Sequence, residues 1–164
     1  MKHTYYTYMP SPVGRLLLAG EEAGLKLIGF EGWKGASEPR LDWELSEAPF
    51  REPIRQLTAY FERKLQSFNL SLAPEGTPFQ RIVWRQLLEI PYGITVTYAD
   101  VARAIGKPKA VRAVGSANGS NPLPIVVPCH RVVGSNGSLT GYGGGLRIKE
   151  FLLRLEDADI IRDP

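Results

Sequence analysis

Cysteine is almost missing from this sequence: Cys129 stands alone among 164 residues. A single thiol excludes an intramolecular disulfide and any zinc site built from several cysteines, and it suits a reducing compartment. Low-complexity tracts and internal repeats are absent, which excludes a disordered, collagen-like or coiled-coil chain. No apolar run approaches the ~20 residues that cross a bilayer. Pro10, Pro12 and Arg15 interrupt the N-terminal stretch before Leu16-Leu17-Leu18, so no secretory signal is evident. The expectation is a soluble cytoplasmic protein without a membrane partner. Acid is scarce in one half only. Residues 77–155 carry ten basic and three acidic side chains, whereas residues 1–76 carry nine and ten. A basic half beside a neutral one points to a polyanion-facing surface, although charge alone also fits a solvated face with no partner.

The length accommodates one or two small domains. Thr4–Met9, Arg15–Ala19 and Leu25–Phe30 alternate apolar and polar residues as strands do, with a turn over Gly20–Gly24. Residues 31–52 read as loop. Ile54, Leu57, Tyr60, Phe61 and Leu65 recur at helical spacing and predict a helix from Pro53 to about Leu65. Ala73-Pro74-Glu75-Gly76-Thr77-Pro78 then breaks the pattern where the charge balance changes. The domain boundary is placed there, giving an α/β domain over 1–76 and a mostly helical domain over 77–164.

In the second half, Pro78–Glu89 places Phe79, Ile82, Val83, Leu87 and Leu88 along one side of a helix. Thr97-Tyr98-Ala99-Asp100 matches a capping box that starts a short helix running to about Ile105. Gly106-Lys107-Pro108 breaks it, and a second short helix is expected from Lys109 to about Ala117 with Val111 and Val114 inward. This is the outline of a helix-turn-helix, and Arg103, Lys107, Lys109 and Arg112 give it a basic surface. A hairpin-like turn over Val132–Gly137 and a last helix with Leu146, Ile148, Phe151, Leu152 and Leu155 as its buried stripe complete the chain.

A free cysteine is most often a buried small hydrophobe. Cys129, however, lies between Pro128 and His130, and Arg131 adds positive charge, which favours the reactive thiolate. In extended chain His130 points away from Cys129, so proton transfer needs either a bridging water or a non-extended turn. His130 also needs a third group to fix its tautomer. Glu156, at the edge of the last helix's apolar stripe, is the candidate, while Asp157 and Asp159 read as a frayed acidic end.

Pro128-Cys129-His130-Arg131-Val132, preceded by Asn121-Pro122-Leu123-Pro124-Ile125, resembles the active-site signature of the O6-alkylguanine-DNA alkyltransferases, the methylated-DNA–protein-cysteine methyltransferases. The likeness runs from about Thr77 to Glu156 and takes in Thr97-Tyr98, Arg112-Ala113-Val114-Gly115 and Gly141-Tyr142 with Gly144-Gly145. Residues 1–76 are consistent with that family's ribonuclease-like N-terminal domain. The resemblance implies direct-reversal DNA repair. The alkylated guanine would be rotated out of the duplex by a helix-turn-helix in the minor groove, and its alkyl group moved irreversibly to Cys129. O4-alkylthymine would be a second substrate. By the same resemblance His130, through water, and Glu156 help form the thiolate, Asn121 braces the turn, and Tyr98 crowds the 3′ phosphate and donates a proton toward the base. Arg112 fills the vacated base position, and Lys109, Ala110 and Arg131 join Tyr98 and Arg112 on the DNA. Pro124, Val132, Tyr142 and Gly143 line the pocket, with main-chain groups of Cys129, Val132 and Gly143 reading the guanine edge.

The implied partner is double-stranded DNA, the implied state a monomer, and no cofactor is called for. Some relatives hold zinc in the N-terminal domain through Cys and His, but that half has only His3 and no cysteine, so no metal is expected. Gly143 stands where some relatives carry a side chain, which bears on pocket width. Three rivals are weaker. A damage-flagging relative would lack Cys129, a helix-turn-helix transcription factor would not need Tyr98, Arg112, Cys129 and Glu156 in order, and a cysteine hydrolase would need an oxyanion hole that is not evident.

Overall fold

The N-terminal strands form a sheet in the order β3-β2-β1-β4. In the computed structural model, which describes residues 3–33, 38–142 and 145–158, β1 (Tyr5–Met9), β2 (Leu16–Glu21) and β3 (Gly24–Phe30) are antiparallel neighbours. The turn between β2 and β3 is tighter than expected: Glu21 pairs with Gly24, leaving only Glu22 and Ala23 between them. Gly24 has φ +150°, and a Cβ on it would lie 2.5 Å from the Ser71 carbonyl oxygen. That closeness lets the chain return along β3, with Leu25 N–H donating to Ser71 O and Ala73 N–H to Leu25 O. The return covers the sheet's open edge.

Residues 31–52 are not wholly loop. β4 (Glu44–Leu45) runs parallel to β1, and Ala48–Phe50 form a single 3-10 turn. Both are too short to leave a periodic signature, and β4 is exposed throughout. Helix α1 spans Arg51–Phe61, stopping short of Leu65, because Arg63 takes a left-handed φ of 60° and Lys64 N–H turns back to Ala59 O. Leu57 and Tyr60 join Leu16, Leu17, Leu18, Ile28, Phe30 and Phe50 in a core closed to solvent. Gln56, buried on the same face, holds the returning chain by exchanging two hydrogen bonds with Asn69's main chain.

The chain falls into two units, Met1–Glu75 and Gly76–Pro164. In the second, α2 (Pro78–Leu87) opens on a capping box between Thr77 and Gln80. Its inward residues are Val83, Trp84 and Leu87, while Ile82 and Leu88 face solvent. Trp84 decides this facing, because its indole N–H donates to Ala117 O at 2.8 Å and draws its side of the helix onto α4 (Val111–Gly119). The predicted capping box is present, with Thr97 Oγ1 accepting from Asp100 N–H and the Asp100 carboxylate from Thr97 N–H, and starts α3 (Tyr98–Ala104). The connection to α4 is longer than the expected three residues, since Lys107–Ala110 close a turn of their own. α4 therefore begins at Val111, which is 37% exposed rather than inward, while Val114 is fully buried. Strand β5 (Val96–Thr97) pairs in parallel with β6 (Val132–Val133), so the turn after β6 does not close a hairpin with it.

The last helix, α5 (Leu146–Leu155), buries a different stripe from the apolar one expected. Lys149, Leu152 and Leu153 are closed to solvent and Leu146 is half exposed. Polar Lys149 and Glu156 lie at i and i+7 on that buried line, reaching Val132 and His130. No helix among the described residues is long and apolar enough to cross a membrane.

Candidate active site

A buried turn holds Cys129. Asn121 builds it: its Oδ1 accepts from Leu123 N–H, and its Nδ2 donates to Val127 O, both at 2.9 Å. Between these points Ile125 takes φ +77° while fully buried, a backbone state unusual for a β-branched side chain and costing ~1–3 kcal/mol. The chain then tightens into one 3-10 turn over Cys129–Arg131. Cys129 and His130 thus sit in a non-extended turn, but the turn does not by itself join thiol and imidazole, since His130 Nδ1 meets no hydrogen-bond partner among the described residues.

Burial pushes the Cys129 thiol up, while hydrogen bonds from the Asn121 and Tyr142 side chains and the charge of Lys149 act to bring it down. The positive charge that works on the thiol is therefore Lys149, not Arg131. Lys149 reaches in from α5 with no exposed surface, donating from Nζ to Val132 O at 2.7 Å and Thr140 O at 2.9 Å. Burial draws its pKa down to about 8, with the Cys129 charge acting against that. Sequence reading missed this residue, because a lysine on an amphipathic helix ordinarily faces water.

Arg131, expected on the DNA, is only 6% exposed, with its guanidinium turned into the fold. Its Nε and Nη2 grip Glu156 Oε1 and Oε2 at 2.8 and 3.1 Å, and Nη1 donates to Ile90 O at 2.7 Å. A guanidinium desolvated this deeply has to meet a carboxylate, and Glu156 supplies it. The same carboxylate accepts from Gly93 N–H at 3.1 Å and lies 2.6 Å from His130 Nε2.

Burial works to raise Glu156, but the His130 hydrogen bond and charge, joined by Arg131, outweigh it and hold the carboxyl well below the usual range. Burial holds His130 below its ordinary value, despite the carboxylate beside it. An ionised carboxylate only accepts, so His130 Nε2 carries the proton and Nδ1 the lone pair. Nδ1 is buried and has no hydrogen-bond partner among the described residues. The structure thus brings Cys129, Asn121, Tyr142 and Lys149 together at one sulfur, and His130, Glu156 and Arg131 in the adjoining cluster.

Tyr98 opens α3 with its hydroxyl 2.9 Å from Thr140 Oγ1. Arg112 and Lys109 are exposed and Ala110 half-buried at the start of α4. Pro124 and Val132 are buried. Val132 has its N–H bonded to Cys129 O and its carbonyl to Lys149. Gly143, Gly144 and Asp159 lie outside the described residues. Among the described residues no group of three His, Cys, Asp or Glu side chains could hold a metal ion.

Two family models match the chain: the 6-O-methylguanine DNA methyltransferase ribonuclease-like domain over residues 4–74 and the DNA binding domain of the same name over residues 78–158. A methylated-DNA–protein-cysteine methyltransferase of Methanosarcina barkeri is 56% identical over 156 residues, covering 95% of this chain and 99% of that protein. The constitutive enzyme of that name from Bacillus subtilis is 47% identical, over 93% and 94%. Among solved structures, Mycobacterium tuberculosis OGT in complex with DNA superposes with a TM-score of 0.88 at 45% identity, over 93% of this chain and 92% of that one. With both domain models matched in order and relatives aligned nearly end to end, the chain belongs to the 6-O-methylguanine DNA methyltransferase family.

Proposed function

We propose that this protein repairs DNA by direct reversal, taking the alkyl group from O6-alkylguanine in a duplex onto Cys129 and acting once per molecule. The observation that carries this reading is a lone cysteine on a braced turn, under a buried ammonium and beside a histidine whose free lone pair is fixed by a carboxylate. The thiol proton passes to His130 Nδ1, through a water, and the resulting imidazolium is stabilised by Glu156. The sulfur attacks the alkyl carbon in line, the C–O6 bond breaks, and its electron pair leaves on the guanine. Tyr98 supplies the base with a proton and regains one from solvent, to which the His130 imidazolium releases the thiol's proton. In net terms the thiol's hydrogen replaces the alkyl group on guanine. The thioether at Cys129 has no leaving group that water displaces, so the site is not regenerated.

Residues 77–164 are assigned DNA binding and transfer. The flipped base is held by Pro124, Val132, Tyr142 and Gly143, and Arg112, exposed near the start of α4, fills its place in the stack. Lys109 and Ala110 lie beside it on the duplex. O4-alkylthymine is a second substrate, the working state is a monomer, and the setting is intracellular, with DNA. Intact-protein mass after incubation with a duplex holding one O6-methylguanine tests the reading. A gain of one methylene, mapped to Cys129, is the expected result. An unchanged mass with tight lesion binding would replace transfer by damage flagging, and no lesion preference would leave a basic helix-turn-helix protein.

A further inference from the structure

Tyr98 is held at both ends. At its backbone, the Thr97/Asp100 box starts the helix of which Tyr98 is the first residue. Gly115 of α4 faces its ring, at a distance where a Cβ would make ordinary contact with Cδ1 at 3.8 Å. At its tip, the hydroxyl lies 2.9 Å from Thr140 Oγ1. Thr140 is itself fixed, because its carbonyl accepts from Lys149 Nζ at 2.9 Å, and the second bond of that buried ammonium goes to Val132 O. Thr140 therefore binds Tyr98 with its side chain and Lys149 with its main chain. One lysine ties it to the strand that leaves the Cys129 turn.

We propose that Thr140 is the positioning residue for the Tyr98 hydroxyl, holding it toward the base pocket through a hydrogen bond that Lys149 anchors. This rests on the alkyl-transfer reading, in which Tyr98 gives a proton to the departing guanine. A hydroxyl donates one hydrogen bond and accepts two. With Thr140 donating to the phenol oxygen, the Tyr98 proton stays free to face the base, and the charge that grows on oxygen as the proton leaves is stabilised. Without Thr140 the hydroxyl turns about its ring bond, and the productive orientation is one among several.

The test is a double-mutant cycle on single-turnover transfer from an O6-methylguanine duplex, with the Tyr98 Cζ resonance of 13C-tyrosine-labelled protein read without DNA and assigned by Tyr98→Phe. Thr140→Val, which keeps shape and loses the hydroxyl, is expected to slow transfer about five- to tenfold, the worth of one neutral hydrogen bond, and to shift that resonance. Thr140→Ser is expected to restore both. In the Tyr98→Phe background Thr140→Val should cost nothing further, because the group it positions is gone. Equal losses in both backgrounds would make Thr140 a packing residue and overturn the proposal, as would an unmoved resonance in Thr140→Val. A wild-type chain that transfers no alkyl group would overturn the functional reading and this role with it, and the resonance would still report the contact separately.

Discussion

Glu156 serves two cations at once, and its removal is expected to be felt in stability as well as in chemistry. Glu156→Gln leaves the Arg131 guanidinium buried without a charge partner, a change expected to cost roughly 3–5 kcal/mol, measurable as a lower urea midpoint. The pH dependence follows from the directions of the shifts. The folded state holds Glu156 below the ordinary carboxylate value, so its contribution is present above ~4.3 and lost as the pH falls further. His130 is also held low, so below ~6.5 the unfolded chain takes up a proton that the folded one resists. Both act in one direction: urea midpoints should decline from about pH 6.5 downward and steepen near pH 4, and Glu156→Gln should flatten the steeper part. Lys149→Met should shift the pH profile of Cys129 alkylation by iodoacetamide upward, because the charge that favours the thiolate is gone. An unmoved profile would reduce Lys149 to a tether for two carbonyls. The pairing of His130 with Glu156 beside the Cys129 turn was legible as a resemblance and a spacing, but the destinations of the nearby charges were not. The charge that acts on the thiol comes from Lys149 and not from Arg131, because each cation goes to the acceptors within its reach after folding.

Helices were readable where their ends are marked by side chains and less so where tertiary partners choose the facing. Thr97 and Asp100 declare the start of α3 through local hydrogen bonds, which need nothing beyond four residues of sequence. The buried side of α2 depends on Trp84 finding Ala117 O, and that of α5 on Lys149 finding Val132 and Thr140. Apolar periodicity alone therefore rotated both stripes from their true positions. The short β4 was invisible, having two exposed residues and no alternation. Thr97→Ala should destabilise the fold by about 1 kcal/mol through loss of the cap, and should slow transfer more than that loss implies, since Tyr98 is the next residue. On α4, Arg112→Ala is expected to impair repair of duplex substrate far more than reaction with a free alkylguanine, and equal impairment would remove Arg112 from its place in the stack.

At the scale of the whole chain, the charge contrast is the most direct legible feature. Ten basic against three acidic residues over 77–155 predict DNA affinity that falls steeply with salt as phosphate contacts release counterions. Binding titrations between 50 and 200 mM salt check this, and a flat response would point away from phosphate contacts. One small element offers a practical handle. The turn after β6 closes on itself, with Gly134 N–H donating to Ser138 O, Gly137 N–H to Gly134 O, and Asn136 Oδ1 accepting from Ser138. Its tip, Ser135 and Asn136, is exposed. Doubling such a loop adds only ~0.6 kcal/mol of closure entropy. A fluorophore-bearing or affinity-tag peptide grafted between Ser135 and Asn136 would therefore travel with the Cys129 turn at little cost in stability, and on the alkyl-transfer reading would turn the protein into a reporter that carries its label on the same chain as the mark it keeps.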